Sequence, residues 1–104
     1  MNLQKYLTEQ KKEHVISRQI YKSGTSIGAN IAEAQRAQST PDFVSKMKIA
    51  LKEANETQYW IQLLHETNYI TAKEFTSIHD ELVEILKILT AICKNDPQGN
   101  KDNL

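Results

Sequence analysis

The hydrophobic positions of this chain recur every three or four residues along most of its length, which is the spacing of one face of an α-helix. A short apolar cluster opens the chain at Leu3, Tyr6 and Leu7 and predicts one or two helical turns. Longer amphipathic segments follow and predict helices over residues 13–37, 41–67 and 71–94. The pattern therefore predicts an all-α protein, an up-and-down four-helix bundle with a truncated first helix: three long helices plus a stub.

Each long helix carries an apolar stripe that is expected to form the core. In the first it comprises Ile16, Ile20, Ile27, Ile31 and Ala34. In the second it comprises Phe43, Met47, Ala50, Ala54, Thr57, Ile61 and Leu64. In the third it is a heptad seam of Phe75, Ile78, Leu82, Ile85, Leu89 and Ile92, broadened by Leu86 and Cys93. Alternating steps of three and four are typical of left-handed bundles.

Signals at the helix ends agree with these boundaries. Thr40 is the expected cap of the second long helix, with Pro41 and Asp42 in its first turn. Asn68 is a residue that tolerates the left-handed conformation at a helix end. The segment Thr71-Ala-Lys-Glu74 matches a capping box and predicts the start of the last helix.

Small residues interrupt the first long helix at Gly24, Gly28 and Ala32, which share one helical face. A glycine inside a helix costs about 1 kcal/mol relative to alanine. The usual reason for accepting that cost is the close approach of a second backbone. We therefore predict that Gly24, Gly28 and Ala32 are helix-packing residues in a tightly packed assembly.

A polar stripe on the same helix contains Ser26, Asn30 and Glu33, again at helical spacing. Because it lies on the helix that carries the glycines, we expect it near a helix–helix seam. Polar groups buried at such a seam must find hydrogen-bond partners. The three residues are predicted to form a buried polar network rather than a ligand site.

Composition fits one soluble domain: 104 residues, 39% hydrophobic and 25% charged. Residues 1–94 are assigned to the helical domain, and the polar, turn-rich segment 95–104 is predicted to be a disordered tail. No apolar run reaches the length of a membrane span, and the N-terminal residues lack a signal-peptide pattern. Together with the single Cys93, these features predict a cytoplasmic protein in which that thiol belongs to the core.

Charge is balanced overall but not along the chain. Residues 1–52 carry nine basic and four acidic side chains, whereas residues 53–104 carry four basic and nine acidic ones. Two explanations are open: charge complementarity between helices, or one basic surface on an assembly. For the second, the candidate nucleic-acid contacts are Lys11, Lys12, Arg18 and Lys22.

Catalytic and metal-binding patterns are absent from the sequence. His14, His65 and His79 form no pair at the spacing that places two ligands on one helical face. The segment Gly24-Thr-Ser-Ile-Gly28 lacks the lysine and the preceding strand of a phosphate-binding loop. Glu53 and the nearby Glu56 fit a solvated helix surface. We therefore predict a noncatalytic protein without a metal or cofactor, with Trp60 in or near the core.

Two segments carry a resemblance to a known family. One runs from Arg18 to Ala34 and contains Ser-Ile-Gly-Ala-Asn-Ile-Ala-Glu; the other runs from Asp42 to Trp60 and ends in Glu-Thr-Gln-Tyr-Trp. Together they resemble the bacterial four-helix bundle proteins named for 23S rRNA intervening sequences. The resemblance covers residues 3–94.

This resemblance implies a four-helix bundle that assembles into a homopentamer, and no catalytic residues. A related protein is the accessory subunit of diversity-generating retroelements, which binds nucleic acid. Members carry a long first helix, of which only the end from Leu3 to Leu7 matches here, so Met1 is interpreted as internal to an ancestral reading frame. Either a groove then stays open or another chain fills it. The expected partners are the chain itself and RNA or a nucleic-acid-processing protein, with a scaffold free of nucleic acid as the alternative.

Overall fold

The computed structural model describes residues 2–94, which form four α-helices and contain no strand. They are α1 (Leu3–Glu9), α2 (Val15–Ala34), α3 (Thr40–Glu66) and α4 (Ala72–Lys94). The first has 7 residues, and the others have 20, 27 and 23. The predicted all-α architecture with a short first helix is confirmed. The predicted tail over 95–104 lies outside the described residues.

The longest helix, α3, lies between α2 and α4 and packs against both of them. The helices α2 and α4 make little contact with each other, and α1 packs on α2. With a rise of 1.5 Å per residue, α1 spans about 10 Å and α2 about 30 Å, so α1 covers only part of its neighbour. The result is a layer of three long helices with a short helix at one end of α2.

The core contains most of the predicted stripe residues. Leu7, Leu64 and Leu89 are the largest fully buried apolar side chains. Around them lie the buried residues Ile20, Ile27, Ala34, Met47, Ala50, Ala54, Ile61, Ile70, Leu82 and Cys93. Trp60 is half-buried and packs against this cluster, as expected, although its indole N–H has no hydrogen-bond partner among the described residues.

Local hydrogen bonds explain where the helices begin and end. Ser39, not the expected Thr40, caps α3, because its hydroxyl accepts from the Asp42 N–H at 3.2 Å. Asn68 takes the left-handed conformation, with a φ of 67°. The capping box of α4 is confirmed: the Thr71 N–H donates to the Glu74 carboxylate at 2.8 Å, and the Glu74 N–H donates to the Thr71 hydroxyl at 3.1 Å.

A buried carboxylate caps the start of α2. Glu13 is buried, and its two carboxylate oxygens accept hydrogen bonds from the N–H groups of Ile16, at 3.1 Å, and Ser17, at 2.8 Å. Its own N–H donates to the carbonyl of Leu7 at 2.8 Å, which ties the end of α1 to the start of α2. A carboxylate at this end of a helix also complements the positive end of the helix dipole.

Removing this cap is expected to destabilise the fold. Glu13→Ala leaves two buried or half-buried N–H groups without acceptors, so we expect the free energy of unfolding to fall by about 0.5–2 kcal/mol. Urea unfolding followed by circular dichroism measures the change. Glu9→Ala is the control, because Glu9 is exposed and nearby. Equal stability of the two variants would show that the Glu13 carboxylate contributes no capping energy.

None of the helices in residues 2–94 is both long enough and apolar enough to cross a membrane.

Candidate assembly and nucleic-acid surfaces

The small-residue face of α2 points away from the rest of the chain. Gly24 is half-buried, and Gly28 and Ala32 are exposed. A Cβ atom built on either glycine would have no neighbouring helix or side chain within 4 Å among the described residues. The second backbone that the sequence predicts beside this face is therefore not supplied by residues 2–94. Whether a second chain supplies it remains a prediction.

Close packing between helices instead occurs one position away, where α2 meets α3. The hydroxyl groups of Ser23 and Thr57 lie 2.7 Å apart, and both residues are buried. The Thr57 hydroxyl also donates to the Glu53 carbonyl at 2.8 Å. Ala50 and Ala54 are fully buried in the same helix. Small side chains thus line the contact between α2 and α3. The sequence predicts small residues at a helix–helix contact, but those at this contact are not the predicted Gly24, Gly28 and Ala32.

The predicted polar network is only partly present within one chain. The Asn30 amide donates to the Ser26 carbonyl at 2.9 Å and lies 3.2 Å from the Ser26 hydroxyl, and both residues are half-buried. Glu33 does not join them: its side chain is 62% exposed and lies 3.5 Å from the Lys46 ammonium of α3. Placing Glu33 in a buried network is therefore incorrect for the single chain, because the position faces solvent beside α3.

One end of the glycine-bearing face is covered by α1. Gln4 and Thr8 of α1 line a cavity of about 250 Å³ together with His14, Ser17, Arg18 and Tyr21. Ser17, Gly24 and Gly28 share a face of α2, because they are seven and four residues apart. This face, which we call the α2 face, is thus closed by α1 around Ser17 and open at the two glycines.

A second uncovered surface lies on α4. Ile85 is 38% exposed and Ile88 is 59% exposed, while Ile78 and Ile92 are half-buried. These four isoleucines follow heptad spacing and form what we call the α4 face. The predicted seam placed Ile85 in the core, and this is wrong. The stripe that packs in the core is Leu82, Leu86, Leu89 and Cys93, in which Leu86 is half-buried and the other three are buried. Leu86 and Cys93 were expected only to broaden the predicted seam, yet they follow the same alternation of four and three residues.

The four candidate nucleic-acid contacts are all exposed. Lys11 and Lys12 lie in the turn between α1 and α2, where Lys12 has a φ of 56° and the Lys11 ammonium lies 5.8 Å from the centre of the Tyr6 ring. Arg18 and Lys22 follow on α2, one helical turn apart. The structure therefore places all four basic side chains on one end of the molecule.

Two of the three histidines take part in a stack of aromatic rings. His65 and His79 stack on Phe75 with ring centroids 4.4 and 4.9 Å away, which joins α3 to α4. The Gln58 amide nitrogen lies 3.2 Å from Nε2 of His79. This stack was not predicted from the sequence, although the four-residue spacing of Phe75 and His79 places their side chains on one face of α4. Within residues 2–94 no three potential ligands cluster to hold a metal ion.

The sequence profile of the family described as 23S rRNA-intervening sequence protein matches residues 1–91. The chain belongs to this family. The match spans the short first helix, the α2 face and α4 as far as Ala91, so family membership applies to nearly the whole helical region.

A similar solved structure supports the fold. It is the crystal structure of a protein of unknown function from the S23 ribosomal protein family of Bacteroides thetaiotaomicron VPI-5482. Its sequence is 55% identical to this chain, the match covers 90% of this chain and 87% of that one, and the TM-score is 0.88. None of the curated proteins compared with this chain matches it. The family membership is thus established, and it brings no assigned activity to this chain.

Proposed function

We propose that this chain is a self-assembling helical bundle protein that acts by binding rather than by catalysis, and that its assembly is a homopentameric ring. The number five comes from the family resemblance. The observation that carries the proposal is the open α2 face, where Gly24 and Gly28 have free space in front of them. A helix that accepts the cost of two glycines, where no other part of residues 2–94 packs in front of them, is suited to a neighbour from another chain.

The uncovered faces suggest how two chains would meet. The α2 face lacks large side chains at Gly24 and Gly28, whereas the α4 face projects Ile85 and Ile88 into solvent. Large side chains of one helix pack best into gaps on another. The two faces belong to different helices, so contact between them is head-to-tail. Repeated head-to-tail contacts form a ring when the rotation from one chain to the next closes after a whole number of chains.

Native mass spectrometry of the purified chain, with and without a structured RNA, tests both parts of the proposal. A five-chain species without RNA is the expected result for assembly. A shift of that species by the mass of the RNA is expected if the protein is an RNA-associated factor. A pentamer that ignores RNA would favour the scaffold alternative, and a monomer at all micromolar concentrations would refute the assembly.

The RNA part of the proposal is supported by the exposed group of Lys11, Lys12, Arg18 and Lys22. Backbone phosphates are contacted mainly by arginine and lysine side chains. Residues 2–22, which form α1, the turn and the start of α2, carry five basic and two acidic side chains, a local excess of positive charge that favours phosphate binding at this end. The neutral total charge predicts local and moderate binding rather than strong binding over the whole surface.

If RNA binds here, its affinity should fall steeply with salt. Four phosphate contacts predict roughly a fiftyfold loss between about 50 and 200 mM salt for a single strand, because bound counterions are released on binding. Changing Lys11, Lys12, Arg18 and Lys22 together to glutamine should flatten this dependence. Fluorescence anisotropy with a labelled RNA measures both effects.

The matched control changes three lysines of α4, Lys73, Lys87 and Lys94, to glutamine. All three are exposed, so their removal tests the general effect of lost positive charge. We expect a smaller loss of affinity than in the four-residue variant. Equal losses in the two variants, or an affinity that salt does not change, would contradict binding at the α1–α2 end.

A further inference from the structure

The outward side of α3 carries a regular stripe that the core does not use. Its members are Ser45, Ile49, Lys52, Glu56, Tyr59 and Leu63, separated by steps of four and three residues. Ile49 is 40% exposed and Tyr59 is 57% exposed, whereas the fully buried Ala54 lies on the opposite side of the helix. Steps of four and three keep these residues on one side of the helix, and Ile49, Tyr59 and Leu63 supply apolar contacts against which a second helix could lie.

The charges of this stripe are arranged antisymmetrically about its middle. Lys52 lies just before the centre and Glu56 just after it, and Ile49 and Tyr59 flank them at equal distances. Two copies of the helix placed antiparallel would therefore set Lys52 against Glu56 of the other copy, and Ile49 against Tyr59. Two parallel copies would instead oppose lysine to lysine and glutamate to glutamate, which is repulsive.

We infer that this stripe is a contact surface for a second copy of the same chain, joined as an antiparallel α3–α3 pair about a two-fold axis. Each pair contains two lysine–glutamate contacts and two isoleucine–tyrosine contacts, with Ser45 opposite Leu63 at both ends. Such a surface is self-complementary, as a two-fold contact requires. Beyond these ends Asp42 would oppose Glu66, so like charges limit the pairing to the stretch between residues 45 and 63.

This contact is separate from the head-to-tail contact proposed above, because it uses the outward side of α3 rather than the α2 and α4 faces. A single pair of helices buries less than a standard stable interface, so the association should be weak and dependent on concentration. The experiment uses the Gly28→Leu chain, in which the head-to-tail contact is expected to be blocked. Dimers of that chain are then attributed to the α3–α3 contact, whether or not the unsubstituted protein forms rings.

Charge reversal tests the inferred pairing. In the Gly28→Leu chain, Lys52→Glu or Glu56→Lys converts two attractive contacts into two repulsive ones, and we expect dimerisation in sedimentation velocity to weaken about tenfold. The double variant Lys52→Glu/Glu56→Lys should dimerise as the parent does. A 1:1 mixture of the two single variants should form mixed dimers, since every charge then meets its opposite.

Mixed dimers form only if both single variants are folded. The 1:1 mixture therefore keeps the test decisive even if one variant is less stable. A Gly28→Leu chain that stays monomeric up to millimolar concentration would overturn the inference. So would single reversals that dimerise as well as the parent, or a mixture that forms no mixed dimers.

Cross-linking checks the register of the pair. A chain with Ile49→Cys should form a disulfide with a chain carrying Tyr59→Cys under mild oxidation, because the two positions face each other. Two Ile49→Cys chains should not cross-link, since their positions are about 15 Å apart along the axis and lie beyond disulfide reach. Self-linking as efficient as mixed linking would overturn the antiparallel register.

Discussion

Replacing Gly28 by leucine is expected to leave the bundle folded and to abolish the head-to-tail assembly. Gly28 is exposed, and a Cβ atom at this position has no neighbour within 4 Å among residues 2–94, so we expect a leucine side chain here to extend into solvent and leave the core unchanged. In the assembly the same side chain would occupy the gap that the adjoining chain needs, and overpacking of a close contact costs about 1–3 kcal/mol at each interface. A ring repeats that cost at every contact.

Gly28→Ala is the matched variant, because alanine adds one methyl group and removes the cost of a helical glycine. At an exposed helix position it should stabilise the chain by about 1 kcal/mol. Native mass spectrometry reports the number of chains, and thermal unfolding by circular dichroism reports stability. A Gly28→Leu protein without the helical content of the parent would place Gly28 in the core, and one that keeps the parent's assembly would show that this face contacts nothing.

The number of helices and most of their ends could be predicted from the sequence because those features are local. The capping box at Thr71–Glu74 and the left-handed Asn68 depend on residues within one or two turns, and both are present in the structure. The observed cap of α3 is Ser39, one residue before the predicted Thr40. Either hydroxyl can cap a helix, and the path of the backbone decides which one does.

The inward side of each helix was harder to predict, because it depends on neighbours distant in sequence. In α4 two apolar heptad stripes share Leu82 and Leu89, and packing on α3 selects the one that continues through Leu86 and Cys93 while Ile85 is left exposed. In α2 the small residues suggested packing at Gly24 and Gly28, yet the contact with α3 uses Ser23. A one-residue difference rotates the inward side by about 100°.

The candidate surfaces also combine features that the sequence could predict with features that depend on residues distant in sequence. The exposure of Lys11, Lys12, Arg18 and Lys22 follows from their type, since charged residues are rarely buried. Their position at one end of the molecule follows from the turn between α1 and α2, which the polar connector sequence indicated. Glu33 was misplaced because its surroundings are set by Lys46 on α3, and no spacing within α2 reveals that neighbour.

Leu64→Ala is expected to produce the largest loss of stability among single core changes. Leu64 is fully buried in the main apolar cluster, near the end of α3. Removing its side chain loses apolar contacts and leaves a cavity, which together cost about 2–5 kcal/mol. Small domains have a total stability of about 5–15 kcal/mol, so the variant should melt at least about 10 °C lower.

Leu63→Ala is the control, since it makes the same chemical change at the adjacent residue of the same helix, where the side chain is only half-buried. Its effect should be clearly smaller, because water already contacts part of Leu63 and the groups around it can adjust. Urea unfolding of both variants, at one protein concentration, separates the cost of the cavity from changes in assembly. Similar losses for Leu63→Ala and Leu64→Ala would mean that the outward side of α3 is as well packed as the core, and this would require Leu63 to be covered by a second chain.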